Sequence, residues 1–202
     1  MIFPILQFLT IKTINLYFRK DDYFMFNIKF GPRGVLQIDG GRIVHRNFEG
    51  RPSKYNKKGD RNFSLVIPNA LLIDVCDEIP DDAIATETVA DYLSSLGWNL
   101  KVKPPREEGE EEFIFLPVKV NLNGRVNIYL ASGSRMTKLA EETVPVVDSI
   151  DIEEVDMDIR PYHWEVNGKT GTAAYLQTMK IVQRVDRFKE EYINNSEDED
   201  IY

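Results

Sequence analysis

The chain has 202 residues, 43% of them hydrophobic, and a formal net charge of −8 at neutral pH. That is enough length and apolar content for one domain with a real core, which excludes global disorder. Its single cysteine, Cys76, excludes an intramolecular disulfide and a cysteine-rich zinc site, and fits a reducing intracellular compartment.

The chain opens with "MIFPILQFLTIKTINLYFRK", an apolar stretch that invites a membrane reading. Lys12 interrupts it well short of the ~20 apolar residues needed to span a bilayer. A basic start and a small-residue cleavage site, the marks of a secretory signal, are missing from it. Met25 opens "MFNIKFGPRGVLQIDGG", a natural first strand. Residues 1–24 are therefore expected to be an extension, with Met25 an alternative start; the intact mass of protein made from the native gene decides between the two.

From there the sequence reads mostly as strands. "FNIKF", "GVLQID" and "RIVHRNF" are short runs rich in β-branched and aromatic residues, punctuated by Gly and Pro. "NFSLVIP" (62–68), "WNLKVK" (98–103), "FIFLPVKV" (113–120) and "RVNIYLA" (125–131) follow, the last two joined by "NLNG" as a predicted tight turn. "VDMDIRP", "HWEV" and "TAAYLQTMKIVQRV" complete the set, with "NGKTG" as a hairpin turn.

Helices are predicted in "NALLIDVCDEI", where Cys76 is a small core residue, and in "TETVADYLSSLG". Thr86 is the expected N-cap of the second, and Gly97 lies just past its end. A shorter helix is expected from Thr143 in "TVPVVDSI", and "PPREEGEEE" reads as an exposed loop. Many short strands with regular turns predict a mostly β fold, a small Greek-key barrel with a helical insertion, over a jelly roll. Residues 25–189 form this one domain; residues 190–202 are an acidic tail, expected to be disordered.

Enzymatic chemistry finds little footing. "GKT" at 168–170 lacks the glycine of a phosphate-binding loop, since His163 stands in its place, and a turn into a strand follows. Asp148, Asp151, Asp156 and Asp158 offer carboxylates for a Mg²⁺-dependent nuclease. However, Asp156 and Asp158 alternate with Val155, Met157 and Ile159, as one wet strand face would. His45 and His163 are far apart, Cys76 has apolar and acidic neighbours, and no Gly-x-Ser-x-Gly elbow occurs. No cofactor and no metal is called for.

Charge is the stronger signal. Residues 25–61 hold nine Lys or Arg against three acids, whereas residues 190–202 hold six acids and no base. In "RNFEGRPSKYNKKGDRNF" (46–63), Arg46, Arg51, Lys54, Lys57, Lys58 and Arg61 interleave with Phe48, Tyr55 and Phe63. Cations near a phosphate backbone release counterions, and rings offer faces to unpaired bases, so this mixture favours a single-stranded partner over a duplex. Phe48 and Phe63, at strand ends, fit the core better than a stacking platform; Tyr55 is the better stacker. "GWNLKVKPPR" adds Trp98, Lys101, Lys103 and Arg106, with the two lysines on one strand face. "YHWEVNGKTGTAAY" adds Tyr162, Trp164, Lys169 and Tyr175 around a hairpin.

The segments "GPRGVLQIDGGRIVHRNFEGRPSKYNKKGDRNFSLVIPN", "GWNLKVKPPREEGEEE…LPVKV" and "IRPYHWEVNGKTGTAAYLQTM" resemble the phage-encoded single-stranded DNA-binding proteins, from about Met25 to Val185. The resemblance implies an oligonucleotide-binding (OB) barrel, with bases stacked on aromatics and phosphates met by Lys and Arg. It makes Lys54, Tyr55, Lys57, Lys58 and Arg61 DNA contacts. The tail, Glu197, Asp198, Glu199, Asp200, Ile201 and Tyr202, would recruit polymerase, helicase or recombination proteins through Ile201 and Tyr202. Tyr rather than Phe closes this tail, and residues 1–24 have no counterpart in the family.

The resulting expectation is a non-enzymatic protein of phage or prophage replication and recombination, in the cytoplasm of a bacterial host. Its groove joins the 46–61 loop to the 98–106 strand, with Tyr55 and one or both of Trp98 and Trp164 as stackers. A homo-oligomer is left open. The rivals are a protein-interaction module that mimics DNA, and a nuclease built on Asp156 and Asp158.

Overall fold

The computed structural model describes residues 26–68, 72–74, 86–105 and 111–185. The N-terminal extension, Cys76, Arg106 and the acidic tail with its partner-binding residues lie outside them.

Strands β1 (Asn27–Phe30), β2 (Leu36–Gly41), β3 (Ile43–Asn47) and β4 (Arg61–Ile67) form in the predicted order. A small two-stranded sheet follows, β5 (Leu72–Asp74) with β6 (Thr86–Thr88), then helix α1 (Val89–Ser95) and β7 (Lys101–Lys103). The second half holds β8 (Phe113–Val120), β9 (Asn127–Ser132), β10 (Arg135–Lys138) and the long hairpin of β11 (Ile152–Val166) and β12 (Lys169–Gln183).

The pairings make a ring. β4 pairs with β3 on one side and β8 on the other; β8 meets β12 in parallel; β12 pairs with β11, and β11 with β2. Only Arg42 separates β2 from β3, so one bent strand belongs to both ends of the sheet and closes it. Five strands in this circuit are the expected Greek-key OB barrel. The bend is made at Gly40, whose φ is +67°, and Asp156 accepts a hydrogen bond from its N–H at 3.1 Å.

Alternation fills the interior. Leu36 and Ile38, Phe63, Leu65 and Ile67, Leu116 and Val118, Val155, Met157 and Ile159, and Leu176 all point inward and are buried. Phe48 and Phe63 stack inside, 5.6 Å apart. The insertion between β4 and β8 contributes Val89 and Leu93 of α1 and the neighbouring Trp98 to the same core.

Several expectations change. The helix predicted over "NALLIDVCDEI" is, where described, the strand β5, because pairing with β6 supplies backbone partners that local propensity does not foresee. The N-cap of α1 is Thr88, not Thr86: its hydroxyl accepts from Asp91 N at 3.1 Å. "NLNG" makes no hairpin. β8 and β9 run the same way along β12, with residues 121–126 looped out between them. The helix expected from Thr143 is a short 3-10 turn, Val144–Asp148, which buries Val144 and Val147. "HWEV" is not separate from "VDMDIRP"; one strand, β11, carries both.

Gly41 sits where β2, β4 and β11 converge; a Cβ there would lie 3.1 Å from Ile38, 3.2 Å from Leu65 and 3.3 Å from Met157. Gly41→Val should therefore destabilise the domain by about 1–3 kcal/mol through overpacking, read as a lower midpoint in urea unfolding with an unchanged slope.

Candidate nucleic-acid interface

The basic loop joins β3 to β4, and its base is rigidly built. Asn47, buried to 9% exposure, accepts from Arg51 N (2.9 Å) and donates to Arg51 O (3.1 Å) and Asp60 O (3.0 Å). Asp148, on the 3-10 turn, accepts from both Phe48 N (2.8 Å) and Glu49 N (2.9 Å). Gly59 N donates to Gly50 O at 2.9 Å, and a side chain at Gly50 would press on the Gly59 backbone at 3.1 Å.

The cations of this segment then divide. Arg46 donates to Val147 O (2.9 Å) and Ile150 O (2.8 Å), and Arg61 binds Phe48 O (3.0 Å) and Glu141 (2.9 Å). Both are among the expected DNA contacts, and in the structure both clamp the loop. Arg51 pairs with Glu49. Lys54, Lys57 and Lys58 are exposed at the tip, with Tyr55 85% exposed and Lys54 Nζ 5.6 Å from its ring centre.

Beside the loop, the outer faces of β4, β8, β11 and β12 enclose a cleft of about 540 Å³. Register places Arg160, Tyr175 and Lys119 side by side on β11, β12 and β8. The Arg160 guanidinium lies 5.1 Å and the Lys119 ammonium 5.5 Å from the Tyr175 ring centre, and Tyr162 meets that ring edge-on at 5.7 Å. Trp164 lies across Gly171, its strand partner; a Cβ there would be 2.6 Å from the indole, so only glycine admits the ring. Asn62, on the cleft wall, donates to Asn56 of the loop at 2.8 Å and ties the two features together. Lys169 is exposed at the hairpin end, past the Asn167–Gly168 turn.

Trp98 does not join this surface. It is 6% exposed and packed in the core, so no base can reach it. Lys101 and Lys103 are exposed on β7, at the far end of β8. Lys119, Asn56 and Asn62, which line the cleft, and Arg160, which lies over the Tyr175 ring, are residues the sequence reading missed. Alternation in "LPVKV" would have put Lys119 outside, but nothing local shows that β8 lies against β12.

Of the carboxylates of the nuclease reading, Asp148 holds the loop backbone and Asp156 the Gly40 turn. Asp156 also accepts from Lys180 at 3.0 Å, and this hydrogen bond, then the charge of Asp156, raises the Lys180 pKa. Asp158 is raised by burial and by Asp39 nearby. Among the described residues no group of His, Cys, Asp and Glu is arranged to hold a metal ion. Among them, too, no helix is long and apolar enough to cross a membrane.

A ring that carries a basic loop between its first and second strands, and a hairpin between its last two, has the loop placement by which OB barrels hold oligonucleotides. The chain, over residues 25–202, matches the family model described as "Putative phage ssDNA-binding domain", and it belongs to that family. Similar solved structures include the single-stranded DNA-binding protein of bacteriophage Enc34. Its C-terminal truncation has TM-score 0.45 and 12% identity, covering 88% of this chain and 98% of that one. Its complex with ssDNA has TM-score 0.44 and 13% identity, with the same coverage. No curated protein matches the chain in sequence.

His45 supplies a pH prediction. Burial first, then the charge of Lys103, lowers its pKa below the ordinary 6.5. The unfolded chain therefore takes up this proton first as pH falls. The neutral imidazole's contribution is complete above about 6.5 and is lost as pH drops toward the lower folded value. NMR titration of His45 should show a midpoint below 6.5 that rises in Lys103→Gln; no rise would refute the Coulombic part.

Proposed function

We propose that the protein holds single-stranded DNA without chemical change, in phage or prophage replication and recombination, using the cleft and the basic loop together. What carries the reading is their junction: Asn62 on the wall of the ring-lined cleft is hydrogen-bonded to Asn56 of the lysine-bearing loop. Phosphates meet Lys54, Lys57 and Lys58 at the loop tip, with Arg51, Lys119, Arg160, Lys169, Lys101 and Lys103 as further cations. Bases stack on Trp164, Tyr162 and Tyr175, and on Tyr55 from the loop. Base–aromatic stacking is worth ~1–3 kcal/mol per base and needs unpaired bases, which a duplex withholds.

Lys119 and Arg160, resting on Tyr175 in the free protein, suit an exchange in which a base takes the ring and the cations turn to its phosphates. The acidic tail, Glu197 to Tyr202, competes for the same cations when DNA is absent, and when displaced it recruits replication or recombination proteins. The site of action is the host cytoplasm.

Charge reversal at the tip, Lys57→Glu with Lys58→Glu, should weaken single-strand binding about tenfold or more and flatten its salt dependence; unchanged affinity would remove the loop from the interface. Removal of residues 196–202 should raise DNA affinity, and a fall would contradict the competition. A gel shift with single- and double-stranded oligonucleotides, with Mg²⁺ and with chelator, tests the whole reading. A DNA mimic would retain neither oligonucleotide, and a nuclease would shorten one only with Mg²⁺.

A further inference from the structure

The outer face of β8 carries an unusual series. Since Leu116, Val118 and Val120 fill the core, alternation turns Phe113, Phe115, Pro117 and Lys119 outward. Lys119 and Pro117 line the cleft described above. Phe115 and Phe113 continue the same row away from it, and neither belongs to the core cluster. On this outer face Phe115 is buried, 9% exposed, while Phe113 is half-buried, and packing inside the barrel accounts for neither ring.

Polar side chains, Lys103 and His45, lie against both rings. The two rings lie 5.6 Å apart, and Lys103 Nζ sits 5.8 Å from the Phe113 centre and 5.3 Å from that of Phe115. The His45 imidazole stands edge-on, 5.5 Å from Phe115 and 6.4 Å from Phe113. His45 reaches this face because the β3–β4 register slips between Val44 and Asn47 and its φ is +50°, a left-handed conformation that a non-glycine residue seldom adopts. Lys103 donates to its Nε2 at 3.2 Å, which leaves the proton on Nδ1, 3.2 Å from Ser64 Oγ. Ser64 and Asn62 belong to the neighbouring outward row of β4, paired with Pro117 and Lys119. Two parallel rows therefore lead from the cleft to this cluster, with Ser64 and Phe115 buried along the way.

We propose that Phe113, His45 and Lys103 form a second nucleotide subsite, about 20 Å along β8 from the Tyr175 cleft, so that the bound strand runs the length of β8. This rests on the single-strand binding reading and extends it. Half-buried Phe113 offers a ring face to a base, the exposed His45 flanks it, and Lys103 leaves the rings to meet a phosphate. Both halves of the contact are sequence-tolerant, because every base has a π-face and every nucleotide a phosphate.

The test compares full-length protein binding oligothymidylates of about 4 and about 12 nucleotides, near the ends of the usual range for one such barrel. Phe113→Leu keeps apolar bulk but removes the ring. It should lower affinity for the longer oligonucleotide about fivefold or more, the factor of one lost stack, and leave the shorter one unaffected. Phe113→Tyr should restore wild-type binding, and Lys103→Gln should reduce the salt slope for the longer oligonucleotide alone. Wild-type affinity of Phe113→Leu for both lengths, or an equal loss for both, would overturn the second subsite. Failure of the wild-type protein to retain either length would overturn the parent reading instead.

Discussion

The interface depends on one bent strand. Residues 36–47 pair with β11 in their first half and with β4 in their second, so the sheet closes only because the chain can turn at Gly40. Asp156 secures the turn from the opposite strand. Closure is what brings the loop leaving β3 to the same side as the β11–β12 hairpin. Without it the lysines of the loop and the rings of the hairpin would sit on distant edges of a flat sheet.

Charge placement explains how an acidic protein presents a cationic surface. The described acids near the loop are turned to internal tasks: Asp148 and Glu141 hold its backbone and Arg61, Asp60 caps Lys57 N, and Glu49 pairs with Arg51. The lysines at the tip carry the outward field. At physiological salt the Debye length is ~8 Å, so the distant acids of the chain are screened from a strand lying against this face while the local lysines are not. Net charge is therefore a poor guide to the partner here, and the distribution along the sequence a better one.

Much of the barrel was legible because its strands follow a period of two: β2, β4 and β8 were each placed within a residue or two, and the alternating part of β11 was read although its length was not. Long-range pairing was not legible. "NLNG" has the composition of a hairpin turn, yet β8 and β9 both follow β12, a choice set by hydrogen bonds to a strand more than 40 residues away. The same limit hid the site. Lys54, Lys57 and Lys58 were visible as a charge run, but Lys119 and Arg160 become partners of Tyr175 only through register. Trp98 shows the converse: its lysine neighbours in sequence said nothing about its burial.

Asp148 fastens the start of the basic loop from a position 100 residues downstream. The loop's shape is accordingly a property of the finished barrel rather than of its own sequence. During synthesis the cationic segment emerges long before the carboxylate that moulds it, so its charge exists first and its form arrives only when the second half folds. A peptide cut from this region would keep the attraction and lose the fit.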